Sequence, residues 1–246
     1  MLPFITCLCP TYRRPKLLEN SIACFMSQDY PLYRRRLLIL DDAGQIQPQS
    51  SDGWEVLSTP VRFPNLPHKY KGLFAASQPK ADIVCIWEDD DIYLPHHLSA
   101  HEEALRGDRL WSKSSKVLST YTGKPELEVS TGRFFASIAI KRELWQQVGG
   151  LQDTARADFD QQFLSALKEA GRSPADPLEG SRGVLPGYVF RWGSTAAYHG
   201  QGAMRSPDDT TWYDRCKDEG DKTPVGILSP KLDEESKLLL EFAKKV

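Results

Sequence analysis

Ala81-Asp82-Ile83-Val84-Cys85-Ile86-Trp87-Glu88-Asp89-Asp90-Asp91-Ile92-Tyr93-Leu94-Pro95 passes from five consecutive apolar residues, Ile83 to Trp87, directly into four acids. The apolar run reads as a strand buried on both faces. Pro95 and the stretch His96 to Leu105 then open a helix. Carboxylates crowded at the end of a buried strand repel one another and raise one another's pKa, so something must hold them there. A divalent cation such as Mg²⁺ or Mn²⁺ does so, because it takes hard oxygen ligands and bridges carboxylates to phosphates. The plainer alternative is a solvated acidic loop leading into a helix, since acids favour helix N-termini.

The rest of the composition narrows the setting. The chain has 246 residues, 40% of them apolar and 26% charged, which suits one large α/β domain or two small ones. A net charge of −2 provides no global field for nucleic acid or anionic membrane. Cys7, Cys9, Cys24, Cys85 and Cys216 form no CxxC pair, so neither zinc nor a disulfide framework is expected. No apolar run is long enough to span a bilayer, and Met1-Leu2-Pro3 lacks the basic start of a signal peptide. A reducing, cytoplasmic location is the expectation.

Upstream of the acids, Phe4 to Cys9 reads as a first strand and Pro10 to Pro15 as a turn carrying Arg13 and Arg14. Lys16 to Gln28 has helical apolar spacing, and Leu37 to Leu40 forms a second buried strand that stops at Asp41-Asp42. A strand, helix, strand unit with polar residues at the strand ends places a ligand at those ends. Residues 45–53 read as loop, Glu55 to Ser58 as a strand with Val61 to Phe63 as a further short one, and Lys69 to Gln78 as a helix. Downstream, loops and edge strands are expected over Leu110 to Ser130, and a strand over Arg133 to Ile140. Helical segments follow at Arg142 to Val148 and Asp158 to Ala170. Tyr188 to Trp192 reads as a strand, 201–226 as a lid or unstructured stretch, and Leu232 to Val246 as an amphipathic helix with Leu238, Leu239 and Phe242 on a docking face.

In this order the features resemble the GT-A glycosyltransferases, and most of all glycosyltransferase family 2. The matching pieces are Cys9-Pro10-Thr11-Tyr12-Arg13-Arg14, Ser27-Gln28-Asp29-Tyr30-Pro31, Leu40-Asp41-Asp42, the acidic cluster with Ile92-Tyr93-Leu94-Pro95, Gly149-Gly150 ahead of Asp158-Phe159-Asp160, and Tyr198-His199. They span roughly four fifths of the chain. Glu88 stands where members commonly carry Asp, Ala157-Asp158 keeps one acid of the usual Glu-Asp pair, and Ala43-Gly44 replaces the usual Ser-bearing turn.

The resemblance implies a single Rossmann-like GT-A domain over 1–200, with a mixed central sheet flanked by helices. Its donor half would be about 1–105 and its acceptor half about 106–200, with a loop and C-terminal helix over 201–246. It further implies transfer of a sugar from a nucleotide-diphosphate sugar, UDP in the first instance, to an acceptor hydroxyl with inversion and with Mn²⁺ or Mg²⁺ as cofactor. Asp90 and Asp91 would ligate the metal, His199 would complete its shell, and Asp89 or Glu88 would meet the ribose or metal-bound water. Asp42, with Asp41 beside it, would read the base, and Pro10, Thr11, Tyr12, Arg14 and Lys69 would line the donor site. Asp158 is the implied general base, with Asp160 as substitute.

Bland roles stand beside each of these. Asp91 is also placed as a helix N-cap, Asp41 and Asp42 as turn residues, Arg14 and Lys69 as solvated surface groups, and Asp158 with Gln161 as a capping box. Trp87 and Trp192 are stacking or core residues. The resemblance leaves the acceptor undetermined, with a glycan or other small acceptor as the first expectation. The alternative acceptor is a hydroxymethylated pyrimidine in DNA, with Arg34-Arg35-Arg36, Lys113, Lys116 and Lys124 as phosphate contacts that the slightly acidic balance disfavours. Two other readings keep the metal and change the activity: a sugar-nucleotidyltransferase, which would need a glycine-rich phosphate loop that Pro10 to Pro15 lacks, and a binding module without turnover.

Overall fold

The computed structural model describes residues 1–121, 124–170, 173–181, 185–191, 206, 208–215 and 220–243. β1 (Ile5–Thr11) is buried along its whole length because it has a strand on each side. α1 (Pro15–Met26) starts on a proline, tolerated there because the first N–H of a helix has no partner to lose. The chain returns as β2 (Arg35–Asp41), parallel to β1, with Thr11 opposite Asp41 at the shared end. β3 (Gln49–Ser51) and β4 (Trp54–Ser58) form a hairpin on the edge, closed by Gly53 at φ +84. α2 (Leu66–Ser77) then carries the chain to β5 (Ile83–Ile86), on the far side of β1.

β6 (Ile92–Tyr93), α3 (His97–Ala104), β7 (Trp111–Lys113), β8 (Lys116–Ser119), β9 (Glu126–Val129), β10 (Ile138–Lys141), α4 (Arg142–Gln147), α5 (Phe159–Glu169), β11 (Tyr188–Phe190), α6 (Trp212–Arg215) and α7 (Glu234–Ala243) complete the described chain. Two sheets result. The larger runs β3-β4-β2-β1-β5-β10-β7 and the smaller β6-β11-β8-β9. β10 is antiparallel to β5, so the central sheet is mixed. β1 has β2 on one side and β5 on the other, so the chain crosses over at β1 and opens a crevice beyond the carboxyl ends of β1 and β5. The acids lie in that crevice.

Several local expectations shift for identifiable reasons. β3 sits within the stretch read as loop: an edge strand with the composition Gln-Ser-Ser has no apolar face to display. Val61 to Phe63 is not a strand, since Phe63 N–H donates instead to Asp42 Oδ2 at 2.9 Å. α2 begins at Leu66, three residues early, because Asn65 caps it by accepting from His68 N–H at 2.9 Å and Pro67 fits the first turn. The expected strand from Arg133 forms only from Ile138, after Phe134 takes a left-handed conformation at φ 57 and a 3-10 turn covers Phe135–Ser137.

Trp87 is a core residue, stacked on Tyr93 with ring centroids 3.6 Å apart, and its indole N–H donates to Ser21 Oγ at 2.8 Å. Cys7, Cys9, Cys24 and Cys85 are buried free thiols. Two of the cations named as DNA contacts are interior. Arg35 turns its guanidinium onto the carbonyls of Met26, Gln28 and Tyr30, compensating the C-terminal end of α1. Lys113 is 8% exposed. Neither reaches a phosphate backbone, which removes the core of that patch. On α7, Leu239 is buried while Leu238 and Phe242 face outward. No described helix is long and apolar enough to cross a membrane.

Candidate active site

β5 delivers Glu88 to Asp91 into the crevice, and the backbone is pinned there before any side chain acts. Glu88 N–H donates to Tyr93 Oη at 2.7 Å, and Ser21 Oγ donates to the Glu88 carbonyl at 3.1 Å. The four acids then part company. Glu88, Asp90 and Asp91 each present an oxygen within 4.8 Å of the others. Asp89 turns towards β1, where Thr11 Oγ1 donates to Oδ2 at 2.6 Å and the Arg14 guanidinium meets Oδ1 at 2.7 Å. Arg14 bridges two acids, for its other nitrogen meets Asp90 Oδ2 at 2.7 Å. Its side chain is 8% exposed, so it is not the solvated surface group that the sequence allowed.

The charge balance shows what this trio suits. Asp91 accepts from Tyr188 Oη and, at Oδ1, from Arg191 N–H at 2.9 Å, yet burial first and Asp90 second push its carboxyl up to about 7. Glu88 is driven well above the carboxylate range by loss of solvent and then by Asp91 and Asp90. Asp89 rises to about 6 through burial, against the pull of Arg14. Acids that keep their protons in this way are short of positive charge. Three hard oxygens so close together fit a divalent cation of the Mg²⁺ or Mn²⁺ kind. His199, the expected further ligand, lies outside the described residues, as do Tyr198 and Trp192.

A pH dependence follows. Both Glu88 and Asp91 have folded-state values above their unfolded ones, so their contribution to stability is fully present below the unfolded values and is lost as pH rises through the folded ones, about 7 for Asp91. A cation displaces those protons and restores the loss. Mn²⁺ is therefore expected to raise the Tm more at pH 8 than at pH 6, read by thermal unfolding at the two pH values with and without the ion. Equal increments would put the cation elsewhere.

The donor-side residues named from the sequence fall into two groups. Pro10, Thr11, Arg14 and Lys69 line one cleft of about 300 Å³ together with the four acids. Lys69, expected as a surface group, is 2% exposed: its ammonium lies 2.6 Å from Asp42 Oδ1 and donates to the Thr11 carbonyl at 2.9 Å. Burial lowers its pKa although Asp42 opposes the shift. Asp42 also accepts from Tyr213 Oη at 3.2 Å. Tyr12 is 7% exposed, with the Arg62 guanidinium 4.7 Å from its ring centroid, and Arg62 lies 4.1 Å from the Tyr213 ring.

Asp41 is committed to its own loop. It accepts from the N–H groups of Ala43, Gln45 and Ile46 at 2.9 Å each and from Ser58 Oγ at 3.0 Å. Asp41→Ala leaves those donors unmatched and is expected to cost about 2–4 kcal/mol of stability in urea unfolding, a loss that bound nucleotide would not change.

Asp158 and Asp160 also separate. Asp158 stands at the N-cap of α5, but its side chain makes no cap hydrogen bond, so the capping box is not formed. Arg156 grips it through Nε at 2.9 Å and Nη2 at 2.7 Å, and Gln162 adds a third bond at 2.8 Å. The Arg156 hydrogen bonds hold its carboxyl below the usual range. Asp158 is absent from the cleft wall, whereas Asp160, Gln161, Phe159 and Ala157 are part of it.

The remaining wall is formed by residues the sequence did not single out: Leu66, Tyr70, Arg133, Phe134, Phe135, Tyr188, Phe190 and Arg191. Tyr188 reaches Asp91 only because β11 pairs antiparallel with β6, setting Tyr188 opposite Tyr93. That register has no local signature. Arg191 ties the site to the C-terminal segment, pairing with Asp233 at 2.8 Å and Glu235 at 3.5 Å.

No family model and no curated protein matches the chain. Solved structures do. The mannosyltransferase PcManGT from Pyrobaculum calidifontis, in complex with GDP-Man and Mn²⁺, superposes with a TM-score of 0.54 at 19% identity over 72% of this chain and 55% of that one. S. aureus TarS 1–349 in complex with UDP-GlcNAc superposes with a TM-score of 0.58 at 15% identity over 87% and 65% respectively. The chain thus spans less than two thirds of either structure's length. The fold is that of the GT-A glycosyltransferases.

Proposed function

We propose that this GT-A chain is a metal-dependent glycosyltransferase that moves a sugar from a nucleoside diphosphate to an acceptor hydroxyl with inversion. One observation carries the reading: Glu88, Asp90 and Asp91 bring three carboxylate oxygens within 4.8 Å at the carboxyl end of β5. These are the residues that would hold Mn²⁺ or Mg²⁺, and when bound the cation would neutralise the charge of the departing diphosphate. The neighbouring fold matches, whose structures hold UDP-GlcNAc and GDP-Man, supply the two donor classes to try.

The chain's own residues divide the remaining work. In this reading Thr11 and Tyr12 at the end of β1, with Asp42 and Lys69, form the nucleoside end. Arg14, which pairs with Asp89 and Asp90, is within the same wall and would add positive charge towards the phosphates. The acceptor hydroxyl would lose its proton to Asp160, supported by its place in the cleft wall at the first turn of α5. Asp158 is the less suited base, since an arginine-bound carboxylate is weakly basic. The phenyl rings of Phe134, Phe135 and Phe159 offer flat apolar faces to a sugar-like acceptor.

The decisive assay is a panel of UDP- and GDP-sugars incubated with the chain, Mn²⁺ and water as acceptor. At least one donor is expected to release sugar, and EDTA to stop the release. Nucleotide binding with no turnover of any donor, even with candidate acceptors added, would leave a binding module instead.

A further inference from the structure

A lysine buried beneath the cleft wall has no place in the chemistry above. Lys113, the last residue of β7, is 8% exposed and sends its ammonium under the segment 130–137. There it donates to Arg133 O at 2.6 Å, Ser137 Oγ at 3.0 Å, Ser130 Oγ at 3.3 Å and Phe134 O at 3.4 Å. Every one of these acceptors is neutral. A buried cation costs more than a buried neutral group, so one matched only to carbonyls and hydroxyls is an expensive way to close a loop. The loop it closes is itself strained. Phe134 has φ 57, a region that a residue with a Cβ enters only against steric strain. Strain of this kind persists where the surroundings over-determine it, commonly at functional sites.

The segment touches both halves of the proposed machinery. On one side the Phe134 ring lies 6.5 Å from Tyr188, whose hydroxyl donates to Asp91, and 5.1 Å from Phe190. On the other, Phe135 meets Phe159 edge-on at 5.9 Å, and a Cβ built on Gly132 would lie 3.9 Å from Gln161 Oε1. Phe159 and Gln161 flank Asp160. The turn thus packs against Tyr188, which holds Asp91, and against the start of α5, which carries Asp160, while two of its carbonyls converge on one ammonium.

We propose that Lys113 is a positioning residue of the cleft: its ammonium holds the left-handed turn at Phe134, and through it the spacing between the acidic trio and Asp160. The activity consequence rests on the glycosyltransferase reading; the positioning itself does not. Burial lowers the Lys113 pKa to about 8. The charged or titratable groups around it are Lys168 and Asp160 on α5, Asp176 ahead of the 177–179 turn, His101 on α3 and Arg133 on the segment itself. The clamp should therefore loosen in mildly alkaline solution.

Trypsin reads the clamp directly, because Arg133 is exposed enough to be cut and its carbonyl is the closest acceptor of Lys113. At pH 7, cleavage after Arg133 is expected to be at least about tenfold faster in Lys113→Met than in the wild type, with the two rates converging near pH 9.5. In the wild type alone, cleavage after Arg133 relative to cleavage after Arg106 should rise at least about fivefold from pH 7 to pH 9. That ratio decides the matter if the Met variant does not fold; a flat ratio, or equal cleavage of the two proteins at pH 7, overturns the proposal. In the donor-hydrolysis assay the Met variant should lose at least about tenfold in kcat with KM for the donor within about threefold. Loss of UDP affinity in step with kcat would make Lys113 a general stability residue and overturn the positioning role. If the wild type hydrolyses no donor, the functional reading fails while the trypsin measurement still decides whether Lys113 holds the turn.

Discussion

Asp90→Ala is expected to lower Mn²⁺-dependent hydrolysis of the competent nucleotide-sugar by about 10²–10³-fold, the range seen when one charge-stabilising group is removed from a transition state. Asp90 is the acid shared between the trio and Arg14, which meets its Oδ2 at 2.7 Å. Its loss removes one of the three proposed cation ligands and takes one of the two carboxylates from Arg14. UDP affinity measured by calorimetry in the presence of Mn²⁺ should fall with the rate, while affinity in EDTA stays where it is. The fold should survive, because Asp89 keeps the tie between β5 and β1 through Thr11. Asp89→Ala is the contrasting variant: it breaks that tie and takes one of two carboxylates from a buried guanidinium, so it should lower the Tm as well as the rate. An Asp90→Ala protein that still hydrolyses its donor at the wild-type rate would dissociate the acidic cluster from the chemistry.

The second large effect separates two acids that sit two residues apart. Asp160→Asn is expected to cut sugar transfer by about 10²–10⁴-fold, the usual yield of a positioned base, with UDP affinity unchanged. Asp158→Asn should cost less than about threefold, since that carboxylate is held by Arg156 and Gln162 and stands off the cleft wall. A proton acceptor works best with a pKa near the working pH, and the arginine grip moves Asp158 in the wrong direction. The reverse outcome, a dead Asp158→Asn beside an active Asp160→Asn, would return the base to Asp158 and require Arg156 to swing away in the working complex.

Much of the N-terminal half is legible in the order of residues. Ile83 to Trp87 is apolar on every position because β5 lies between β1 and β10 with both faces covered, and such a run can hardly be anything but an interior strand. Four acids directly after it mark the strand end as the place to look for a site, since their repulsion has to be offset by something. β1, α1 and β2 follow from the same local patterns, each within one hydrophobic period of its expected bounds.

What the linear order leaves open is which acid faces which partner. Glu88 joins Asp90 and Asp91 while Asp89 turns to Thr11 and Arg14, and nothing in four adjacent carboxylates distinguishes them until β1 fixes Thr11 opposite. Lys69 and Lys113 look like ordinary surface lysines in a sequence. Their burial arises from contacts 58 and 17–24 residues away that only chain closure creates. Asp158 and Asp160 are equivalent candidates by composition, and the first turn of α5 sends one towards Arg156 and the other into the cleft. Strand periodicity and charge crowding are properties of neighbours along the chain, so the sequence carries them. Orientation, burial of a cation and the pairing of Tyr188 with Asp91 depend on sheet register and strand crossing, which exist only once distant segments have packed.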